Sequence, residues 1–284
     1  EKEREKKGEA NYYPTYEELI KEKDQGDNLL VWSIKNISGA EIHRATSPAK
    51  KGTQTYTWNL RLAGTSPVRL QKRTVGRYSQ PDNGALVSAG TYSLSVYLLN
   101  EQNEHVALEK NQPFEINLLP VHSTPAERPV EVLAFHNSLL ELNRKLTGSA
   151  SLIDEYQDKL RYLKAILLNY PNADLSLLKQ HREYEQALQL VYREMNGDDI
   201  LPALEIETPP SLSDRLSTIK WQRYGTTSAP TETQIQGLAI CTEEYGNLRP
   251  RLDKIIADIN SLEKIMMDAG IPFTPHKDEN WKKD

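Results

Sequence analysis

Apolar residues recur at every second position up to about residue 120 of this 284-residue chain, and at every third or fourth position after it. Alternate residues of a strand face opposite ways, whereas residues three and four apart share one face of a helix. A chain with this switch has to put strands and helices in separate stretches. The expectation is therefore α+β in two segregated domains, a β-sandwich first and a helical bundle second.

The strands come with their turns. In NLLVWSIKN (28–36), Leu30, Trp32 and Ile34 alternate with Leu29, Val31 and Ser33, and AEIHRA (40–45) follows a Ser38-Gly39 turn, which predicts a β-hairpin. TYTWNLRL (55–62) is expected to be the next strand, with Tyr56, Trp58 and Leu60 on one face between Gly52 and Gly64. GTYSLSVYLLN (90–100) and QPFEINLL (112–119) complete the set, one facing Tyr92, Leu94, Val96 and Leu98 inward and the other Phe114, Ile116 and Leu118. Lys51-Gly52, Gly64-Thr65-Ser66-Pro67, Pro81-Asp82-Asn83-Gly84 and Ala89-Gly90 separate the runs. Short strands at this spacing predict an antiparallel sandwich of immunoglobulin or fibronectin type over 28–120. The single cysteine, Cys241, excludes an internal disulfide and a cysteine-based zinc site. Residues 1–27 form a lead-in, in which YYPTYEELIKEKDQGD is helical or extended, with Pro14-Thr15 as its start and Gly26 as its stop.

A Pro-rich linker, 121–128, leads into the helices of 129–270, and 271–284 is a tail. From Pro129 the apolar positions Leu133, Leu139, Leu140, Leu146, Ile153, Tyr156, Leu160, Leu163 and Leu167 predict one long helix, or two in line with a weak point at Thr147-Gly148-Ser149. After Pro171-Asn172, the Asp174 and Ser176 caps open a second helix that carries Leu177, His181, Tyr184, Leu188, Val191 and Met195 and stops at Gly197. A short helix follows Pro210. The last helix, 232–268, starts at the Thr231 cap and shows the clearest seam: Leu238, Cys241, Tyr245, Leu248, Leu252, Ile255, Ile259, Leu262 and Met266. Narrow seams need partners, which predicts an antiparallel three- or four-helix bundle; the heptad-like seam is also compatible with a homodimer through 232–268.

The chemistry is sparse. A net charge of -5 argues against nucleic acid as a partner, because phosphate binding needs a basic face. No apolar run approaches the roughly 18 residues of a membrane span. Cys241 sits in the seam near Glu243 and Glu244, which makes it a buried structural thiol. The six histidines, His43, His105, His122, His136, His181 and His276, form no metal-binding pair, and His181 falls in a helix seam. Glu17-Glu18, Asp198-Asp199, Glu205, Glu207 and Glu243-Glu244 lie where solvated charge is expected, and Asp198-Asp199 lacks calcium-loop spacing. Arg69, Lys72, Arg73 and Arg77 read as a solvated rim. Phosphate-loop, dinucleotide and nucleophile-elbow motifs are missing, so no catalytic, cofactor-binding or metal residue is assigned and no cofactor is expected. The candidate contact residues are aromatic: Tyr12, Tyr13 and Tyr16, and the pair Trp221 and Tyr224. Such rings stack on sugars or seal domain interfaces.

The succession LLVWSIKNISGAEIHR, KKGTQTYTWNLR, SAGTYSLSVYL and QPFEINLLP resembles the accessory immunoglobulin-like module of flagellar hook-capping type. The residues that carry the resemblance are Ile34, Asn36, Gly39, Ile42 and Arg44, then Gly52, Trp58, Asn59 and Arg61, then Gly90, Tyr92 and Leu94. In exported bacterial proteins with a sortilin-like or Asp-box (BNR) β-propeller, often labelled glycosyl hydrolases, this module follows the propeller and a helical region follows the module. The stretch from SAPTETQ to YGNLRPRLDKIIADINSLE is similar to the end of that region, and the resemblance covers about 28–268. It implies a non-catalytic, structural region of an exported protein (periplasmic, cell-surface or secreted), with its own upstream propeller as partner and a protein or polysaccharide as further contact. The opening EKEREKKGEA fits an excised piece of such a protein. The alternatives are a carbohydrate-binding module that uses exposed aromatics and, further off, a glycoside hydrolase in its own right.

Overall fold

The computed structural model describes residues 8, 13–64, 84–119, 129–171, 173–198 and 200–271. The linker, the tail beyond Ile271, the basic run Arg69–Arg77, Tyr12, His122, His276, Asn172, Asp199 and the turn residues at 65–67 and 81–83 lie outside them. The fold is mixed α+β, with a four-stranded antiparallel sheet in the first half and helices through the second. These separate into two compact units, one around the sheet and one around the long helices.

In the sheet unit, α1 (Tyr16–Lys23) begins at a capping box: Glu18 N–H donates to Thr15 Oγ1 while the Glu18 carboxylate accepts from Thr15 N–H. Gly26, expected as the helix stop, has another duty. A Cβ there would meet the Glu101 carbonyl oxygen at 2.9 Å. Strands β1 (Leu29–Asn36), β2 (Glu41–Pro48), β3 (Gly90–Leu99) and β4 (His105–Ile116) pair in the order β2-β1-β3-β4. The first hairpin turns where expected: Asn36 Oδ1 accepts from Ser38 and Ala40, and Gly39 takes φ +81°. Register puts Ile34 beside His43 and Leu94, and Trp32 beside Ala45 and Val96, so the alternating apolar residues of three strands share one face. β4 begins seven residues before the stretch read as a strand, and it carries a bulge at which Asn111 takes φ +56°.

The stretch 55–62 is not a strand; Arg61 alone forms an isolated bridge. Leu60 takes φ +58°, which breaks the pleat, and Trp58 Nε1–H donates to the Arg61 carbonyl at 2.9 Å, folding the segment on itself. It is tied down at two points, Ala63 N–H to Ile42 O and Val87 N–H to Leu60 O. Alternation in this segment therefore records rings laid over a sheet face.

In the helical unit, α2 (Pro129–Asn169) runs unbroken through Thr147-Gly148-Ser149. Ser149 is fully buried, and its small side chain lets Tyr245 OH approach Oγ to 3.0 Å. α3 (Leu177–Asn196) ends at Gly197, whose φ is +95°. The short α4 (Ile200–Ala203) and α5 (Leu212–Arg223, capped by Ser211) lead to α6 (Glu232–Asp268), which has a Thr231–Gln234 capping box. Hydrogen bonds give the directions. Ser149–Tyr245, Tyr156–Asn260 and Lys159–Glu263 rise together, so α6 runs along α2, whereas Gln157–Gln189 and His181–Leu160 set α3 against it.

Seven of the nine seam residues of α6 are buried, Tyr245 and Ile255 being half-buried, in a cluster shared with α2, α3 and α5. Each fully buried leucine or isoleucine contributes about 1.5–3 kcal/mol. A homodimer through 232–268 would have to use residues outside this seam, among which Ile240 and Ile265 are exposed on one side of the helix and Ile235 on another. No described helix is long and apolar enough to cross a membrane.

Candidate functional site

The densest group of chemically able side chains lies on the sheet face under residues 52–64. Tyr56 stacks on Trp32 (5.6 Å between centroids, 23°) and on His43 (6.1 Å, 23°). Trp58 tilts against His43 and meets the rings of Tyr92 and Phe114 edge-on, and those two stack on each other. The polar atoms are engaged as well. Trp32 Nε1–H donates to Ser47 Oγ, Tyr92 OH donates to Ser88 O, and His43 Nε2 shares a 2.6 Å hydrogen bond with Tyr56 OH. Burial pushes the Tyr56 and Tyr92 hydroxyls up and the His43 imidazole down from their ordinary values. His43 Nδ1 is buried without a partner among the described residues.

This arrangement favours cohesion. Ring contacts of this kind add about 0.5–1.5 kcal/mol each beyond the area they bury. A sugar platform needs ring faces turned to solvent, whereas Tyr56, Trp32 and His43 turn theirs to one another. His43 was named in the sequence only among histidines that form no metal-binding pair, although the alternation of AEIHRA puts it on the face of Ile34.

The reactive groups of the helical unit are likewise held by neighbours. Arg223, 4% exposed at the end of α5, donates from Nε to His136 Nε2 on α2 at 3.2 Å and from its terminal nitrogens to the Ser228 and Ala229 carbonyls. It clamps the α5–α6 connection to the start of α2, and burial holds its pKa below the ordinary guanidinium value. Nothing in the local sequence marked it. His181 is buried as expected and hydrogen-bonds through Nε2 to Leu160 O. Cys241 is fully buried, and burial pushes its thiol up to about 11. Glu244 adds to that rise, and Arg215, brought in from α5, opposes it.

The aromatic residues singled out in the sequence do not form one group. Tyr16, the first residue of α1, and Tyr13 just before it are exposed in the sheet unit. Trp221, 64% exposed on α5, and the half-buried Tyr224 at its C-cap belong to the helical unit. Among the described residues, no group of three or more His, Cys, Asp or Glu is placed to hold a metal ion. Comparison with protein-family models, with curated proteins and with solved structures gave no match.

Proposed function

We propose that this chain is a non-catalytic accessory region of a larger exported bacterial protein. In this reading an immunoglobulin-like β-sandwich is followed by an antiparallel helical bundle, and together they pack on or space an upstream β-propeller and mediate protein or polysaccharide contacts. The observation that supports it is the internal use of the able groups. The rings of Trp32, Tyr56, Trp58 and Tyr92 pack on one another, His181 and Arg223 bind backbone carbonyls, and the Cys241 thiol is buried. The exported setting and the propeller rest on the resemblance of residues 28–268.

A second reading, a carbohydrate-binding module, is favoured by the exposure of Trp221. Pull-down on insoluble polysaccharides and tryptophan fluorescence with soluble ones separate the two. The accessory reading expects no saturable binding that depends on Trp221. Binding abolished by Trp221→Ala would establish the module instead.

A further inference from the structure

On the sheet face opposite the aromatic group, at the end that carries the β1–β2 turn, lies an open, shallow cavity of about 380 Å³, more than half of whose lining residues are exposed. That is within the range of small-ligand sites, about 300–1,000 Å³. Its wall comes from three neighbouring strands: Lys35 of β1, Thr91 and Ser93 of β3, and Asn111 and Pro113 of β4. Register sets Lys35 beside Ser93 and Ser93 beside Pro113, so these three form a row across the sheet.

The polar groups around this row keep hydrogen-bonding capacity to spare. Among the described residues, Lys35 Nζ makes no ion pair within 4 Å. Its charge does join Arg44, which bonds Glu41 at 2.6 and 2.5 Å, and Ser33 in holding the carboxyl of this cross-strand neighbour below the usual range. The bulge fixes Asn111 with φ +56°, its N–H donating to Ser95 Oγ and its Oδ1 accepting from the same hydroxyl, which leaves the Nδ2 amide for a ligand. The Ser93 and Thr91 hydroxyls also have no partner among the described residues.

One cation with an amide and two hydroxyls matches a ring that bears one carboxylate and several hydroxyls, with Pro113 against its C–H face. The row crosses strands, whereas a peptide adding to the sheet would read a single edge. We propose that this cavity binds an acidic saccharide of one or two uronic-acid units, the carboxylate on Lys35 and the hydroxyls on Ser93, Thr91 and Asn111. This deepens the polysaccharide contact within the proposed function and rests on that part of it.

The test is calorimetric or NMR titration of the full chain with digalacturonate, its dimethyl ester, acetate and inorganic phosphate. The expected result is saturable binding of digalacturonate, tighter than that of the other three. Lys35→Gln weakens it about tenfold, the worth of one charge-assisted hydrogen bond. Ser93→Ala weakens it less, and thermal unfolding confirms that both variants fold. The inference fails if digalacturonate does not bind, if the ester, acetate or phosphate binds as tightly, or if Lys35→Gln leaves affinity unchanged. Binding lost in Trp221→Ala and kept in Lys35→Gln overturns the inference and leaves a carbohydrate-binding role standing elsewhere. No binding at all overturns it and leaves the accessory role intact.

Discussion

Glu263 of α6, 2% exposed, forms a 3.0 Å ion pair with Lys159 of α2, and Lys159 Nζ also donates to Asn260 Oδ1 and lies 4.8 Å from the centre of the Tyr156 ring. A buried carboxylate is tolerated only with its partners in place. Lys159→Ala should therefore destabilise the helical unit by about 3 kcal/mol. The pair Lys159→Met with Glu263→Leu, which removes both charges at similar volume, should recover most of that loss. Urea denaturation of the two variants measures the difference.

Cys241 should resist thiol reagents in the native state and react fully in denaturant, because it is fully buried in the α6 seam. The same burial has a pH signature. The folded thiol is raised from 9.0 to about 11, so the unfolded chain ionises first as the pH rises. Its stabilising contribution is whole below pH 9.0 and is lost as the pH climbs through about 11. Cys241→Ser should flatten stability across that window.

His43 predicts the opposite slope at acid pH. Burial lowers its folded pKa from the usual 6.5, so the unfolded chain takes up the proton first and stability falls as the pH drops below 6.5. His43→Gln should remove that part of the acid sensitivity. Chemical denaturation between pH 5 and 7.5 reads it directly.

Glycines test the packing from the other side. Gly26→Ala would press a Cβ against the Glu101 carbonyl oxygen at 2.9 Å and should cost on the order of 1 kcal/mol or more. Gly246→Ala, inside α6 with nothing within 4 Å of the new Cβ, should stabilise by about 0.5–1 kcal/mol. Thermal unfolding of the pair gives opposite shifts.

The elements written as strong local periods were legible. α6 has the predicted bounds because its seam and Thr231 cap agree, and it continues through Pro250, which removes one backbone hydrogen bond and crowds the preceding turn. The β1–β2 hairpin was legible for the same reason, with alternation and a turn pointing the same way. The stretch 55–62 misled because alternation reports which side chains are buried together and leaves strand pairing open. The left-handed Leu60 has no local sequence mark. The start of β4 was missed because HVALEK exposes Val106 and Leu108 on an edge strand and so lacks a buried period. Arg223 reaches His136 across 87 residues, which no local window of sequence contains, and Tyr56 reaches His43 from a segment whose path over the sheet the sequence does not mark.

The central claim is that the tryptophans of the sheet face hold the fold and that Trp221 does not. It is tested most directly by denaturant unfolding of Trp58→Ala beside Trp221→Ala. The account predicts a loss of about 3 kcal/mol for Trp58→Ala, the scale of truncating a packed aromatic, and a change within about 0.5 kcal/mol for Trp221→Ala. Unchanged stability in Trp58→Ala, accompanied by loss of saccharide binding, would contradict it and make the aromatic face a binding surface.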